Sequence, residues 1–481
     1  MNREEYLNRK KYRFFEYFEN LAETYPKHRE KTSYYWNDII NYCNFFIHED
    51  DSVLEIGCGT GETLSKLKGK NKTGIDYSPK MIAKARERYP ELNFILQDAT
   101  QLELDEKFDI IVVTNVIGFI DNLNELFESL RKVSHPRTKV IISYYNYLWE
   151  PIIKFAEWIG LKRHIPNQSW ISKQDLANIL YLTEFEPYRY TRSMIIPYKI
   201  PILSDIINRF IARLPLINSL CINQFMIARP SPYFPKDIVK DKYSVSVVIP
   251  ARNEEGNIEN AIKRIPKMGK HTEIIFVEGN STDNTWQEIR RVYEKYKTTH
   301  DIKITQQQGK GKGDAVRKGF SLASGDILMI LDADLTVPPE DLPKFYYAIA
   351  SLKGEFINGS RLVYPMEKNA MRFLNILGNK FFSMMFTWLL EQPIKDTLCG
   401  TKVIFRKDYE RLAGNRHFFG DFDPFGDFDL LFGSYKLNLK IIDLPIRYQE
   451  RVYGDTNISR FKHGWLLLKM CVFAARKIKF R

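Results

Sequence analysis

Apolar positions along the chain gather into short unbroken runs, each closed by an acidic or glycine-bearing turn and followed by a stretch with helical spacing. The first series opens at SVLEIGCGTGETL after Asp51 and continues through strand-like runs ending at Asp76 and Asp98 and one beginning at Phe108. A second series opens at SVSVVIPARNEEGNI after Tyr243 and continues through EIIFVEGNSTDNTW and SGDILMILDADL. Short apolar runs bounded by turn residues and alternating with helical stretches predict a parallel α/β sheet in each half. Between the two series, ARPSPYFPKDIVKDKY carries three prolines among polar residues. That composition reads as a linker and sets an expected boundary near residue 238, giving domains 1–237 and 238–481. Residues 1–45, rich in charge, Tyr and Phe, are expected to form helices that cover a sheet edge. No internal repeat is present, so the halves read as two different α/β domains.

Composition narrows this picture. With 44% hydrophobic and 27% charged residues over 481 positions, the chain is neither disordered nor fibrous. Its five cysteines lie far apart without a CxxC pair. A disulfide framework or zinc cluster is therefore not expected, and a reducing, cytoplasmic setting is. The charged start MNREEYLNRKKYRFF has no apolar core of a signal peptide. No run reaches the roughly 18 apolar residues of a spanning helix. The stretch 371–390 is broken by Arg372, Asn375, Asn379 and Lys380, and 464–475 by Lys469. The net charge of +12 suits phosphate-bearing substrates or an anionic membrane surface. Zinc-finger spacing, RNP aromatics and basic heptads are all missing, so nucleic acid is not expected as a partner.

In the first half, VLEIGCGTG reads as a strand, a tight loop and a helix start. Gly57, Gly59 and Gly61 permit positive φ and let a ligand lie against the backbone. Some twenty residues on, Asp76 ends the second strand, where an acid can accept hydrogen bonds from ribose hydroxyls. The spacing is GxGxG after the acidic Glu55, which weakens a pyrophosphate reading. Together these residues resemble a class I S-adenosylmethionine-dependent methyltransferase over roughly residues 40–230. The resemblance implies a Rossmann-like domain in which Glu55, Gly57, Gly59, Gly61, Asp76 and Asp98 bind the cofactor. The loop would meet its methionine part, Asp76 its ribose and Asp98 its adenine. A plain strand-capping role stays open for Asp98 and Asp109. The methyl acceptor is not legible, since Thr114-Asn115-Val116-Ile117 stands where an NPPY signature would. The aromatic run after residue 145 is open between a lid over the acceptor, core packing and docking, and a cofactor-binding half with little catalysis also remains open.

The second half is richer. Its strands end in Pro250, Arg252 and Glu254, then in Glu278, then in Asp332-Ala333-Asp334. Two carboxylates at i and i+2 past an apolar strand call for a bound partner, and a divalent metal with a diphosphate is the economical one. The order of these pieces resembles an inverting family 2 glycosyltransferase of GT-A type, the dolichyl- or polyprenyl-phosphate sugar synthases in particular, over nearly all of 244–481. By that resemblance Pro250, Arg252, Glu254, Glu278 and Asp314 line a nucleotide-sugar pocket and Asp332 and Asp334 hold Mg²⁺ or Mn²⁺, which would neutralise the leaving nucleoside diphosphate. Glu278-Gly279-Asn280-Ser281 replaces the family's usual Asp-Asp-Gly-Ser. Arg361, in the family's Gly-Ser-Arg turn, would grip diphosphate oxygens. Lys402, in an acceptor-side stretch, and Arg451, Ser459 and Arg460 are candidate acceptor or phosphate contacts.

The run FFGDFDPFGDFDLL holds Asp421, Asp423, Asp427 and Asp429. An inverting transfer to a hydroxyl needs a base within hydrogen-bond reach. Asp427, then Asp429, are the catalytic candidates, while Asp421 and Asp423 read as turn formers. A lipid phosphate needs less help, being already anionic near neutral pH. The Phe/Met/Leu-rich stretch at 371–390 and the Trp-bearing, basic-flanked stretch from His463 are open between core helices and an anionic lipid surface, and the resemblance implies the lipid surface. The chain thus reads as a methyltransferase-like domain followed by a glycosyltransferase, peripheral at the cytoplasmic membrane face. Its acceptor is a lipid phosphate, or, as the alternative, a surface polysaccharide on which the methyltransferase would also act. A membrane-docked scaffold that only binds ligands is the rival from another class.

Overall fold

The structure is a computed structural model. It describes residues 14–160, 168–231, 234–361, 373–415, 427–446, 449, 453 and 460–480. The chain divides into two compact units between Ser231 and Pro232.

The first unit is built on a seven-stranded sheet in the order β3-β2-β1-β4-β5-β7-β6. Its strands are β1 (Ser52–Ile56), β2 (Asn71–Asp76), β3 (Asn93–Leu96), β4 (Phe108–Thr114), β5 (Ser134–Tyr145), β6 (Phe185–Ser193) and β7 (Asn223–Pro230). Strands β1 to β5 are parallel, whereas β7 runs antiparallel to both β5 and β6. Apolar side chains on the central strands are fully buried against the flanking helices, Leu54, Ile111 and Val140 with Leu126 and Leu130 among them. Helices start where the sequence supplies caps. Ser78 Oγ accepts from Met81 N at 3.2 Å ahead of the helix Pro79–Arg88, and Asn122 opens Leu123–Lys132 in the same way.

The second unit repeats the principle with different wiring, in the order β10-β9-β8-β11-β13-β12-β14. Its strands are β8 (Ser244–Ala251), β9 (His271–Glu278), β10 (Asp301–Gln306), β11 (Ile327–Ile330), β12 (Phe356–Ser360), β13 (Lys402–Phe405) and β14 (Ile441–Pro445). Here β13 is the reversed strand, antiparallel to β11 and β12. Both sheets are therefore mixed where the run pattern predicts parallel ones. A fully buried apolar run looks the same in either direction. The α/β class itself is as expected in both units.

One device holds the start of the first strand in each unit. Asp109 Oδ2 accepts from Ser52 N and Oγ at 3.0 and 2.8 Å, and Asp326 Oδ2 accepts from Ser244 N and Oγ at 2.9 and 2.8 Å. Asp109 is also joined by His135 at 3.1 Å, and that contact draws its carboxyl well below the usual range. It is thereby a strand-pinning residue. Among the described residues no helix is long and apolar enough to cross a membrane.

Candidate functional site

In the first unit the carboxyl ends of β1 and β2 open onto a cavity of about 1070 Å³. Gly57, Gly59 and Gly61 take φ of 69°, 53° and 86°. A Cβ on Gly57 would lie 2.3 Å from Val116 Cγ2, and one on Gly61 2.8 Å from Phe94 Cζ. Only glycine fits these turns, which leaves the loop backbone open to a ligand. Asp76 closes β2 and faces the loop, its carboxylate accepting from Gly59 N at 2.9 Å and Ser78 N at 3.0 Å. Burial nonetheless holds its pKa above the ordinary aspartate value. Glu55 lies beneath the loop, fully buried, with Thr114 Oγ1 donating to it at 3.3 Å. Burial pushes its carboxyl up to about 8, against the pull of Arg29 and Thr114. Asp98 lines the cavity and accepts from Thr100 N and Oγ1, both at 2.9 Å. It therefore does serve as a local cap, and it does so at the cavity wall.

Arg29 is a site residue that no motif announces. It sits on the helix Tyr25–Lys31, is buried, and lines the cavity. It donates to Thr63 Oγ1 at 2.6 Å and stacks over Trp36 with its guanidinium carbon 3.5 Å from the ring centroid. No carboxylate of the described residues pairs with it, so the cation is available to an anionic ligand. The helices Tyr25–Lys31 and Ser33–Phe46 thus line the cavity through Tyr25, Arg29, Tyr35 and Trp36. The aromatic segment after residue 145 contributes Trp149, Ile152 and Ile153 to the same wall. These residues fit S-adenosylmethionine: a backbone cradle without Cβ atoms, a buried acid at a strand end and a buried guanidinium at the cavity wall.

In the second unit the loops that follow β8, β9 and β10, which carry the predicted nucleotide residues, lie side by side. The loops are stitched to each other: Asn253 N donates to Ser281 Oγ at 3.0 Å, Thr282 N to Asn253 Oδ1 at 2.8 Å, and Asn280 Nδ2 to Gly309 O at 3.1 Å. Glu278 is buried, with Ser281 N at 2.6 Å and Gln306 Nε2 at 2.9 Å donating to it. Glu254 is buried and accepts from Asn257 Nδ2 at 2.8 Å. Pro250 is the last residue but one of β8, and Arg252, just past the strand, is exposed. Asp314 accepts from Gly309 N at 2.9 Å and so closes the basic glycine loop on itself.

Past β11, Asp332 meets Lys312 Nζ at 2.6 Å. Burial raises the pKa of Asp332, but Lys312, Lys402 and Arg361 outweigh it and keep the carboxyl below its ordinary value. Asp334 accepts from Thr336 N and Oγ1 at 3.1 and 2.8 Å. Asp332 and Asp334 supply two carboxylates of the kind a hard divalent cation takes, while among the described residues no group of three or more possible metal ligands gathers. Arg361 forks onto the buried Asp396, Nε and Nη2 reaching its two oxygens at 2.7 and 2.9 Å. The guanidinium expected to grip diphosphate is thus engaged by a carboxylate in this structure. Burial opposes the ionisation of Asp396, yet Arg361 and Asn379 hold it well below the usual range. Lys402 is wholly buried and donates to Cys399 O, beside the same cluster. Asp429 is buried in the helix Asp427–Lys436. Arg451, Ser459, Asp421 and Asp423 lie outside the described residues, as do the side chains of Asp427 and Arg460.

Comparison with known proteins agrees with this division. Residues 246–412 match the model for glycosyl transferase family 2 and residues 27–189 that for a methyltransferase domain. The second half is similar to a dolichol-phosphate mannosyltransferase of Pyrococcus furiosus, 29% identical over 49% of this chain and 67% of that one. It is similar also to an undecaprenyl-phosphate 4-deoxy-4-formamido-L-arabinose transferase of Proteus mirabilis, 26% identical over 45% of this chain and 64% of the relative. A Saccharomyces cerevisiae dolichol-phosphate mannosyltransferase is 37% identical over 22% of this chain and 40% of its own length. The chain thus spans between two fifths and two thirds of these relatives. Among solved structures, a SAM-dependent methyltransferase of Thermotoga maritima aligns with 17% identity and a TM-score of 0.36, covering 45% of this chain and 99% of that one. The chain thus matches a methyltransferase domain in its first half and a family 2 glycosyl transferase in its second.

Proposed function

We propose that the second unit moves a sugar, with inversion, from a nucleoside diphosphate to a polyprenyl or dolichyl phosphate at the cytoplasmic membrane face, and that the first unit transfers a methyl group from S-adenosylmethionine. The observation that carries the glycosyl transfer is the ionised, partly buried Asp332 at the end of β11, set among Lys312, Lys402 and Arg361. Strand ends of open α/β sheets are where such folds bind ligands. The names of the relatives, which specify dolichol phosphate and undecaprenyl phosphate, support the lipid acceptor.

Glu278 and the stitched loops hold the nucleotide end, with the exposed Arg252 to meet its phosphates. Asp332 and Asp334 would hold Mg²⁺ or Mn²⁺, which offsets charge on the departing diphosphate. Lys312 keeps Asp332 ionised for that task and is a second cation beside the leaving group. An anionic phosphate acceptor lessens the demand on a base, so Asp427 and Asp429 serve to orient it. The helices Phe373–Leu390 and Arg460–Ile478, which keep Met384 and Trp465 exposed, would meet the lipid surface. In the first unit, Arg29 would take the cofactor's carboxylate and Asp76 its ribose. Bound S-adenosylmethionine supplies an electrophilic methyl group. At about 1070 Å³ the cavity lies at the upper end of common ligand pockets, which suits a cofactor with an acceptor beside it.

The test is nucleoside-diphosphate release by the full chain with Mg²⁺ or Mn²⁺, a panel of GDP- and UDP-sugars, and short polyprenyl phosphate. The expected result is release stimulated at least about tenfold by the lipid, and lost by about a hundredfold or more in Asp332→Asn/Asp334→Asn. Release indifferent to the lipid would reassign the acceptor to a glycan hydroxyl. Undiminished release in the double variant would remove the metal-site assignment.

A further inference from the structure

The first unit gathers two cations on the face of its sheet that turns away from the large cavity. Tyr144 on β5 and Arg192 on β6 both pair with Gln224 on β7, so the three side chains form one row on one face. Tyr145, the next residue along β5, points the opposite way and lines the cavity. The helix Lys173–Leu182 covers the Tyr144 face, its Leu176 and Leu180 packing in the same core as Tyr144. At the start of this helix Lys173 Nζ stands 4.1 Å from the ring centroid of Tyr190. Arg192 reaches the same ring, with its guanidinium carbon 5.0 Å from the centroid and Nε donating to the Tyr190 hydroxyl at 2.7 Å. Tyr190 in turn donates to Gln224 Oε1.

This group has donors in excess of acceptors. Among the described residues no carboxylate lies within ion-pair distance of Lys173 or Arg192. Asp38 is engaged by Asn223 at 3.0 Å and Arg213 at 3.9 Å, and Asp175 by the Ser172 hydroxyl at 2.6 Å. Burial, and after it the neighbouring Arg192, hold Lys173 below the ordinary lysine pKa, and no acid pulls the other way. Independently of the two cations, the Tyr144 hydroxyl has no hydrogen-bond partner although its side chain is only 4% exposed. Tyr190 and Arg192 are the titratable groups that act on it. A buried hydroxyl without a partner is rare enough to call for one, and a guanidinium fork with free Nη groups matches the oxygens of a single oxyanion. We propose that Tyr144, Lys173 and Arg192 form an oxyanion site, suited to free phosphate or to the phosphate of a monoester, on the sheet face opposite the large cavity. Three donors without an acceptor select an anion over a cation or a neutral ligand. The site stands apart from the residues assigned to methyl and sugar transfer and does not depend on either reading.

Hydrogen exchange of the full chain, titrated with inorganic phosphate and with glycerol 3-phosphate, tests it. At a phosphate concentration about ten times its Kd, amides of 143–147, 172–176 and 190–194 are expected to exchange roughly tenfold more slowly. Potassium chloride at the same ionic strength should leave them unchanged. Lys173→Gln/Arg192→Gln should abolish the slowing while keeping the circular dichroism spectrum of the parent. Tyr144→Phe keeps the ring and removes the hydroxyl, and should raise the Kd for phosphate about tenfold. Tighter binding of glycerol 3-phosphate than of phosphate assigns the site to an ester, and equal binding assigns it to the free ion. Exchange at these amides that phosphate leaves unchanged overturns the proposal. So does slowing that survives in the double variant, that chloride reproduces, or that Tyr144→Phe does not weaken.

Discussion

A carboxyl buried without enough partners keeps its proton, and Glu55 is such a group. Its pKa rises to about 8, chiefly through burial, from an ordinary value of 4.5. Between those values the folded chain holds a proton at this site that the unfolded chain has released. Stability from this group is therefore complete below pH 4.5 and declines as pH rises toward about 8, by up to about 1.4 kcal/mol per pH unit. Glu55→Gln keeps the shape and removes the titration. Urea unfolding monitored by circular dichroism at about pH 5 and about pH 8 should show a smaller loss of stability in the variant than in the parent. Equal losses would mean that Glu55 is already ionised in the folded chain.

At the scale of elements, chemistry concentrates where strands end, and this part was legible. Asp76, Glu278, Asp332 and Asp334 close apolar runs, and a charged residue after a buried strand emerges at the sheet edge. Pairings between distant segments were not legible. Arg29 lies on a helix whose local pattern says nothing of a cavity, and Arg361 finds Asp396 only because antiparallel β13 lies beside β12. The direction of β7 and β13 was hidden for the same reason, since burial on both faces erases the alternation that marks a strand's neighbours. The loop before β13 also presses on the Asp332 carboxylate. A Cβ on Gly400 would stand 2.0 Å from Asp332 Oδ2 and 2.3 Å from Lys312 Nζ, so Gly400→Ala must displace that ion pair. Displacement of a positioning pair by about 1 Å can cost on the order of a hundredfold in rate. Nucleoside-diphosphate release should fall by about that factor in Gly400→Ala and stay near the parent rate in Gly414→Ala, where the new methyl meets nothing within 4 Å. Equal rates in the two variants would detach Asp332 from turnover.

At the scale of the whole molecule, two sheets have separate cores on one chain, and each carries one of the two proposed sites. Each core buries its own central strands, so damage to one loop need not reach the other unit. Changes at sites with no shared partner usually add within about 0.3–0.5 kcal/mol, roughly a twofold effect. Gly57→Ala puts a Cβ 2.3 Å from Val116 Cγ2 at a φ of +69°. The left-handed conformation alone costs about 1–2 kcal/mol, enough for a tenfold loss of S-adenosylmethionine affinity. Calorimetric titration should show that loss while nucleoside-diphosphate release stays within about twofold of the parent. Asp332→Asn should do the reverse, abolishing release and leaving cofactor affinity intact. If either substitution lowers both readouts by more than about tenfold, the sites share a coupling free energy above about 1 kcal/mol, and the fusion of the two domains is then a regulatory connection as well as a covalent one.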